Sequence, residues 1–112
     1  LKTMALDERK DAAEKKFELD QQALFKVEAR ASKLVGAWAG EKMGLSGSEL
    51  EAYAKDVVIA NLDEPGYDDV KRKLISDFSQ SETAFEESEI DHMISKYVLL
   101  ATEQIAEEAQ KV

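Results

Sequence analysis

Phe17, Leu24, Val27, Ala31, Leu34, Val35 and Trp38 recur at three- and four-residue steps within a seven-residue repeat. That spacing commits the segment to an amphipathic helix with one face to bury. The ten residues before it, Asp7 to Lys16, read DERKDAAEKK and hold no large apolar side chain. No Pro or Gly separates the two stretches. A helix that begins with nothing to bury, and gains a core face only later, is expected to project from the body it belongs to. Residues 1–16 are therefore read as a mobile arm that binds something else, and residues 17–112 as a four-helix domain. If helical, the sixteen-residue arm would reach about 24 Å. Alone in water such a segment is a marginal helix, so it is expected to fold on a partner.

The other periodic segments are helical too, which predicts an all-α, four-helix bundle with a long first helix. The first helix runs from after Leu6 to about Met43, with Gly44 as its stop. Gly36 and Gly40 either weaken its second half, by about 1 kcal/mol each relative to alanine, or instead allow another helix to pack closely. The second helix runs to about Asn61 behind two overlapping capping boxes, Ser46-x-x-Glu49 and Ser48-x-x-Glu51. Its stripe is Leu50, Tyr53, Ala54, Val57, Val58 and Leu62. The segment Asn61 to Gly66 reads NLDEPG and is the clearest loop in the chain. The third helix spans about Tyr67 to Phe78, with Val70, Leu74, Ile75 and Phe78 on one side. Asp68 and Asp69 lie in its first turn, where the helix dipole favours them. Ser79 to Thr83 connects it to a last helix, capped by Thr83-x-x-Glu86, with Ile90, Met93, Ile94, Tyr97, Ala101 and Ile105 on one face. That helix is expected to fray within EEAQKV.

Charge narrows the partners. The net charge of the 112-residue chain is −9, and it is unevenly placed. Through Arg30 there are seven Lys/Arg and seven Asp/Glu; beyond it there are eight against seventeen. An acidic body repels phosphate backbones and anionic membranes, so nucleic acid is not an expected partner. No apolar run approaches the roughly 18 residues of a membrane span, and the N-terminus carries no signal-peptide h-region. The chain has no cysteine, which removes disulfides and thiolate metal sites and fits a reducing compartment.

Catalytic chemistry is not expected. There is one histidine, His92, out of phase with its helix's apolar face and so placed at the surface. No nucleophile–base set and no phosphate-cradling glycine loop is present. Asp63-Glu64 and Asp68-Asp69 flank the Pro-Gly turn and read as solvated acids before they read as a cation site. Neither a catalytic nor a metal-ligating residue nor a cofactor is assigned. Trp38 reads as core. Lys26 and Arg30 repel each other at i, i+4, and a bundle has no evident need for them. They form either a cationic surface beside the arm or an ordinary charged outer face.

Two blocks of residues resemble the zeta subunit of alphaproteobacterial F-type ATP synthases, an inhibitor of ATP hydrolysis. The first is Asp7-Glu8-Arg9, Lys16-Phe17, Asp20, Phe25-Lys26, Glu28-Ala29-Arg30, Leu34, Gly36 and Trp38-Ala39. The second is Tyr53-Ala54, Val57-Val58, Asp63 to Gly66, Asp69-Val70 and Lys73-Leu74. The resemblance implies a monomer when free, cytoplasmic and held at the inner membrane through the synthase. It implies an arm that wedges into the catalytic head of alpha, beta and gamma subunits, much as the unrelated mitochondrial inhibitor does. Asp7, Glu8, Arg9, Lys16, Phe17, Asp20, Phe25, Lys26 and Arg30 would contact the partner. Leu1 to Leu6 depart from the pattern. The alternative is a small helical sensor that binds a nucleotide or cation and regulates a partner.

Overall fold

The computed structural model describes residues 20–110. The arm, with Asp7, Glu8, Arg9, Lys16 and Phe17, lies outside the described residues. Four helices follow one another: α1, Gln21–Lys42; α2, Gly47–Asn61; α3, Asp68–Gln80; and α4, Glu87–Gln110. The chain is all-α over this span, as the periodicity predicts.

Helix α1 lies between α2 and α4, antiparallel to both. On one side Gly36 and Gly40 face Ala54, Val57 and Leu50 of α2. A Cβ at Gly36 would stand 2.9 Å from the Ala54 Cα, so the two backbones touch where the sequence places glycine. On the other side Val27 and Ala31 pack on Ala101 and Ile105 of α4.

The core has two parts. Val35 and Ala39 of α1, Val57 of α2, Val70, Leu74 and Phe78 of α3, and Ile90 and Ile94 of α4 form the larger one, where all four helices meet. Phe78 is its largest fully buried side chain. Its ring meets Trp38 edge-on at 5.9 Å and Phe85 at 5.5 Å between centroids. Truncating such a residue to alanine costs about 3–5 kcal/mol. The smaller cluster, Val27, Ala31, Ala101 and Ile105, extends the α1–α4 pair beyond the four-helix region, with Tyr67 and Val98 packed against both parts.

Helix ends depart from the expectations in instructive ways. Gly44 does stop α1: at φ +87° it lets Leu45 N–H reach Gly40 C=O at 2.9 Å and Gly44 N–H reach Glu41 C=O. The same motif ends α3, but its left-handed residue is Glu82, at φ +57°. Thr83 N–H there donates to Phe78 C=O at 2.8 Å, and α3 runs two residues past Phe78. Neither capping box at α2 forms, since Ser46 makes no side-chain cap bond and Ser48 lies inside the helix. Thr83 does not cap α4 either; its hydroxyl pairs with Ser81 at 2.8 Å. The expected fraying within EEAQKV is not seen through Gln110, because the end of α4 is tied to α1.

Candidate partner-binding site

The expected contact residues that the structure describes lie at the N-cap of α1 and in its first half. Asp20 is the N-cap: its backbone is extended, and its carboxylate accepts the Ala23 N–H at 2.7 Å. A side-chain oxygen in that position satisfies one of the helix's free amide donors. The expectation of a helix running unbroken from after Leu6 is thereby corrected, because the described helix starts at Gln21 with its own cap. The carboxylate that makes Asp20 a candidate contact residue is already used by the helix it begins.

The next turns divide their charged residues between inward and outward tasks. Glu28 accepts the Gly66 N–H at 2.8 Å, while the buried Asn61 donates to Gly66 C=O at 2.7 Å. The Pro65-Gly66 turn is thus held by one side chain from α1 and one from α2. Tyr67 packs beneath it; burial, and then the Glu28 carboxylate, push its hydroxyl up to about 12.

Arg30 reaches across to α4. Its Nη2 donates to Glu108 Oε1 at 3.0 Å, its Nη1 to Glu108 Oε2, and Nη1 also to Gln104 Oε1 at 3.2 Å. A guanidinium meeting a carboxylate with both nitrogens gains geometric specificity as well as charge pairing. This corrects the view that the bundle has no need of Arg30.

With Glu28 and Arg30 engaged, Leu24, Phe25 and Lys26 face outward. Leu24 was expected in the core stripe, yet it is 48% exposed, and Phe25 is 57% exposed. Beside them lies an open cleft of about 490 Å³, lined among the described residues by Phe25, Lys26, Ala29, Arg30 and Lys33 of α1, Val58 of α2, and Ile105 and Glu108 of α4. A second hollow, lined by Asp20, Gln22, Ala23, Lys26, Ile105, Glu108 and Ala109, adjoins it. Lys33 and Val58 were not among the expected contact residues; they enter because α2 runs back along α1.

The other candidates have simpler accounts. His92 is exposed. Asp69 and Glu64, beside the Pro-Gly turn, both pair with Arg72. A cation there would have to displace a guanidinium. No group of three His, Cys, Asp or Glu residues suited to a metal occurs among the described residues. Asp77 accepts from the Tyr53 hydroxyl at 2.8 Å and pairs with Lys73 at 3.1 Å, a tie between α2 and α3. No described helix is long and apolar enough to cross a membrane.

Four packed helices, with Leu24, Phe25 and Lys26 exposed on the first turns of α1, define the class of small α-helical bundle domains. The family can be stated more closely. The family model of ATPase inhibitor subunit zeta matches residues 3–104, and the chain belongs to that family. The match begins at residue 3, so Thr3 to Leu6 fall within the family's span, although they were set apart as this chain's own. A protein solved by solution NMR is similar at 38% identity, over 75% of this chain and 95% of its own, with a TM-score of 0.65. Comparison with curated proteins gave no match. The family is one of inhibitor subunits, not of enzymes.

Proposed function

We propose that this chain inhibits an F-type ATP synthase by inserting residues 1–16 into the catalytic head, among the alpha, beta and gamma subunits, and so blocks ATP hydrolysis. The observation that carries this reading is the family match, which extends to residue 3 and so takes in the arm as well as the bundle. A wedge needs no catalytic group. It needs a segment with no duties in its own core and with mixed charge suited to a cleft between subunits. Asp7 to Lys16 has that composition: four basic and four acidic residues with two alanines. Ordering such a segment on binding costs a few kcal/mol of the gross interaction, so affinity must come from extended contact. On this reading the chain acts in the cytoplasm, held peripherally at the inner membrane through the synthase.

The test is ATP hydrolysis by the cognate synthase with the whole chain and with a chain lacking residues 1–16. The whole chain inhibits; the shortened chain keeps the bundle's helical circular dichroism and fails to inhibit. Equal inhibition by both would sink the arm mechanism, and no inhibition by either would sink the inhibitory reading.

A further inference from the structure

The cleft beside Phe25 differs from the rest of this acidic surface. Its apolar lining is Phe25, Ala29, Val58 and Ile105, and Lys26 and Lys33 stand on its rim. Leu62, the C-cap residue of α2 four positions after Val58, is 52% exposed. Lys26, Arg30 and Lys33 follow one another at i, i+4 and i+7 along α1. Arg30 is neutralised by Glu108, whereas Lys26 and Lys33 make no ion pair among the described residues. The two lysines are thus open cations on a chain of net charge −9, set beside an aromatic ring left largely in water. Charge complementarity therefore favours an acidic occupant with something apolar to bury.

We propose that this cleft is a second docking surface, separate from residues 1–16, which takes an apolar segment flanked by carboxylates on the same partner. The proposal rests on the inhibitory reading above. The partner's apolar side chain sits between Phe25 and Val58, and its carboxylates meet Lys26 and Lys33. Phe25 lies five residues into the chain from Asp20, about 7.5 Å along the helix axis. A partner that grips the arm is therefore brought next to the cleft, and the second contact forms at high effective concentration.

The experiment measures binding of the full-length chain to the isolated catalytic head of the cognate synthase, at low and at physiological salt, alongside ATPase inhibition. Lys33→Glu removes a rim cation, and Phe25→Ser removes the exposed ring. Lys55→Glu, at an exposed position of α2 that makes no ion pair among the described residues, changes the net charge by the same amount as Lys33→Glu. Each cleft variant raises Kd about tenfold or more, the Lys33→Glu effect shrinks at higher salt, and Lys55→Glu changes Kd less than about twofold. Equal weakening by Lys33→Glu and Lys55→Glu, or no weakening by either cleft variant, overturns the cleft. If the unaltered chain neither binds nor inhibits, the inhibitory reading falls and this proposal with it. If it does both and the cleft variants match it, only the cleft is lost. Circular dichroism of each variant guards against a folding defect, which is not expected because both side chains are exposed.

Discussion

Arg30 of α1 and Glu108 of α4, 78 positions apart, meet through both guanidinium nitrogens and both carboxylate oxygens. They clasp the helices beyond the region where all four share a core. The side chains are 33% and 53% exposed, so solvent screens the pair and its contribution is at most about 1 kcal/mol. Glu108→Gln should lower global stability by that amount or less. Its sharper effect is local: amide exchange over the last turns of α4 should quicken while α3 is unchanged. Uniform quickening throughout the bundle would contradict a local clasp.

The two glycines of α1 should respond differently to alanine. At Gly36 the new methyl meets the Ala54 backbone at 2.9 Å and the Val57 side chain at 3.0 Å, so the helices must part. The expected cost of Gly36→Ala is about 1–3 kcal/mol. At Gly40 the nearest atom, at 2.5 Å, is Cδ1 of the half-buried Leu50, which can turn aside. Helix propensity returns about 1 kcal/mol there, so Gly40→Ala should be close to neutral. Denaturant unfolding of the two variants would show the order; the reverse order would refute the packing account.

Ser32 is fully buried on α1, and its hydroxyl has no hydrogen-bond partner among the described residues. An unmet buried hydroxyl costs about 1–3 kcal/mol. Ser32→Ala removes the group with almost no change of shape and should raise the melting temperature. A fall of several degrees would mean that the hydroxyl is satisfied in solution.

Glu82 occupies the left-handed region with a full side chain. Replacing a strained residue with glycine at such a helix end relieves roughly 1 kcal/mol, partly offset by the freer unfolded chain. Glu82→Gly is expected to be neutral to mildly stabilising, and Glu82→Val strongly destabilising, in thermal unfolding.

Alkaline pH should unfold the bundle through its tyrosines. Tyr67 is pushed up to about 12, and Tyr53 is raised further by burial and its bond to Asp77. A hydroxyl whose folded pKa lies above its unfolded value, about 10, contributes stability that is full below pH 10. As pH rises the unfolded state loses its proton first, so stability falls from about pH 10 to beyond 12. Ultraviolet titration of the phenolates should show Tyr53 and Tyr67 ionising together with unfolding. Ionisation of either at pH 10 in a folded protein would contradict their burial.

Much of the bundle could be read from spacing alone, because Val27, Ala31, Val35, Val70, Leu74, Phe78, Ile90 and Ile94 obey helical periods and all face inward. Leu24 obeys the same seven-residue repeat and does not. A straight helix drifts about 20° per heptad against that repeat. By its first turns the α4-facing side has moved to Ala23, which lines the hollow beside Ile105 and Ala109. Phe25 and Lys26 were singled out by resemblance to relatives; their exposure becomes visible only once α4 is seen to end beside them. Arg30–Glu108 and Glu28–Gly66 carried no local signal, since each joins segments that become neighbours only after the helices have packed. Glu82 was missed because the sequence marks left-handed helix ends with glycine, and here a glutamate takes the part.

The cap at Asp20 has an effect on inheritance of form along the chain. A helix entering from residues 1–19 could merge with α1 only by giving up the bond from Ala23 N–H, about 1 kcal/mol at the junction. The body therefore does not depend on what precedes it for its first turn. Substitutions upstream of Asp20 can alter what is recognised without disturbing Val27 or the core behind it. Two halves joined in this way can be revised separately, one for its target and one for its own permanence.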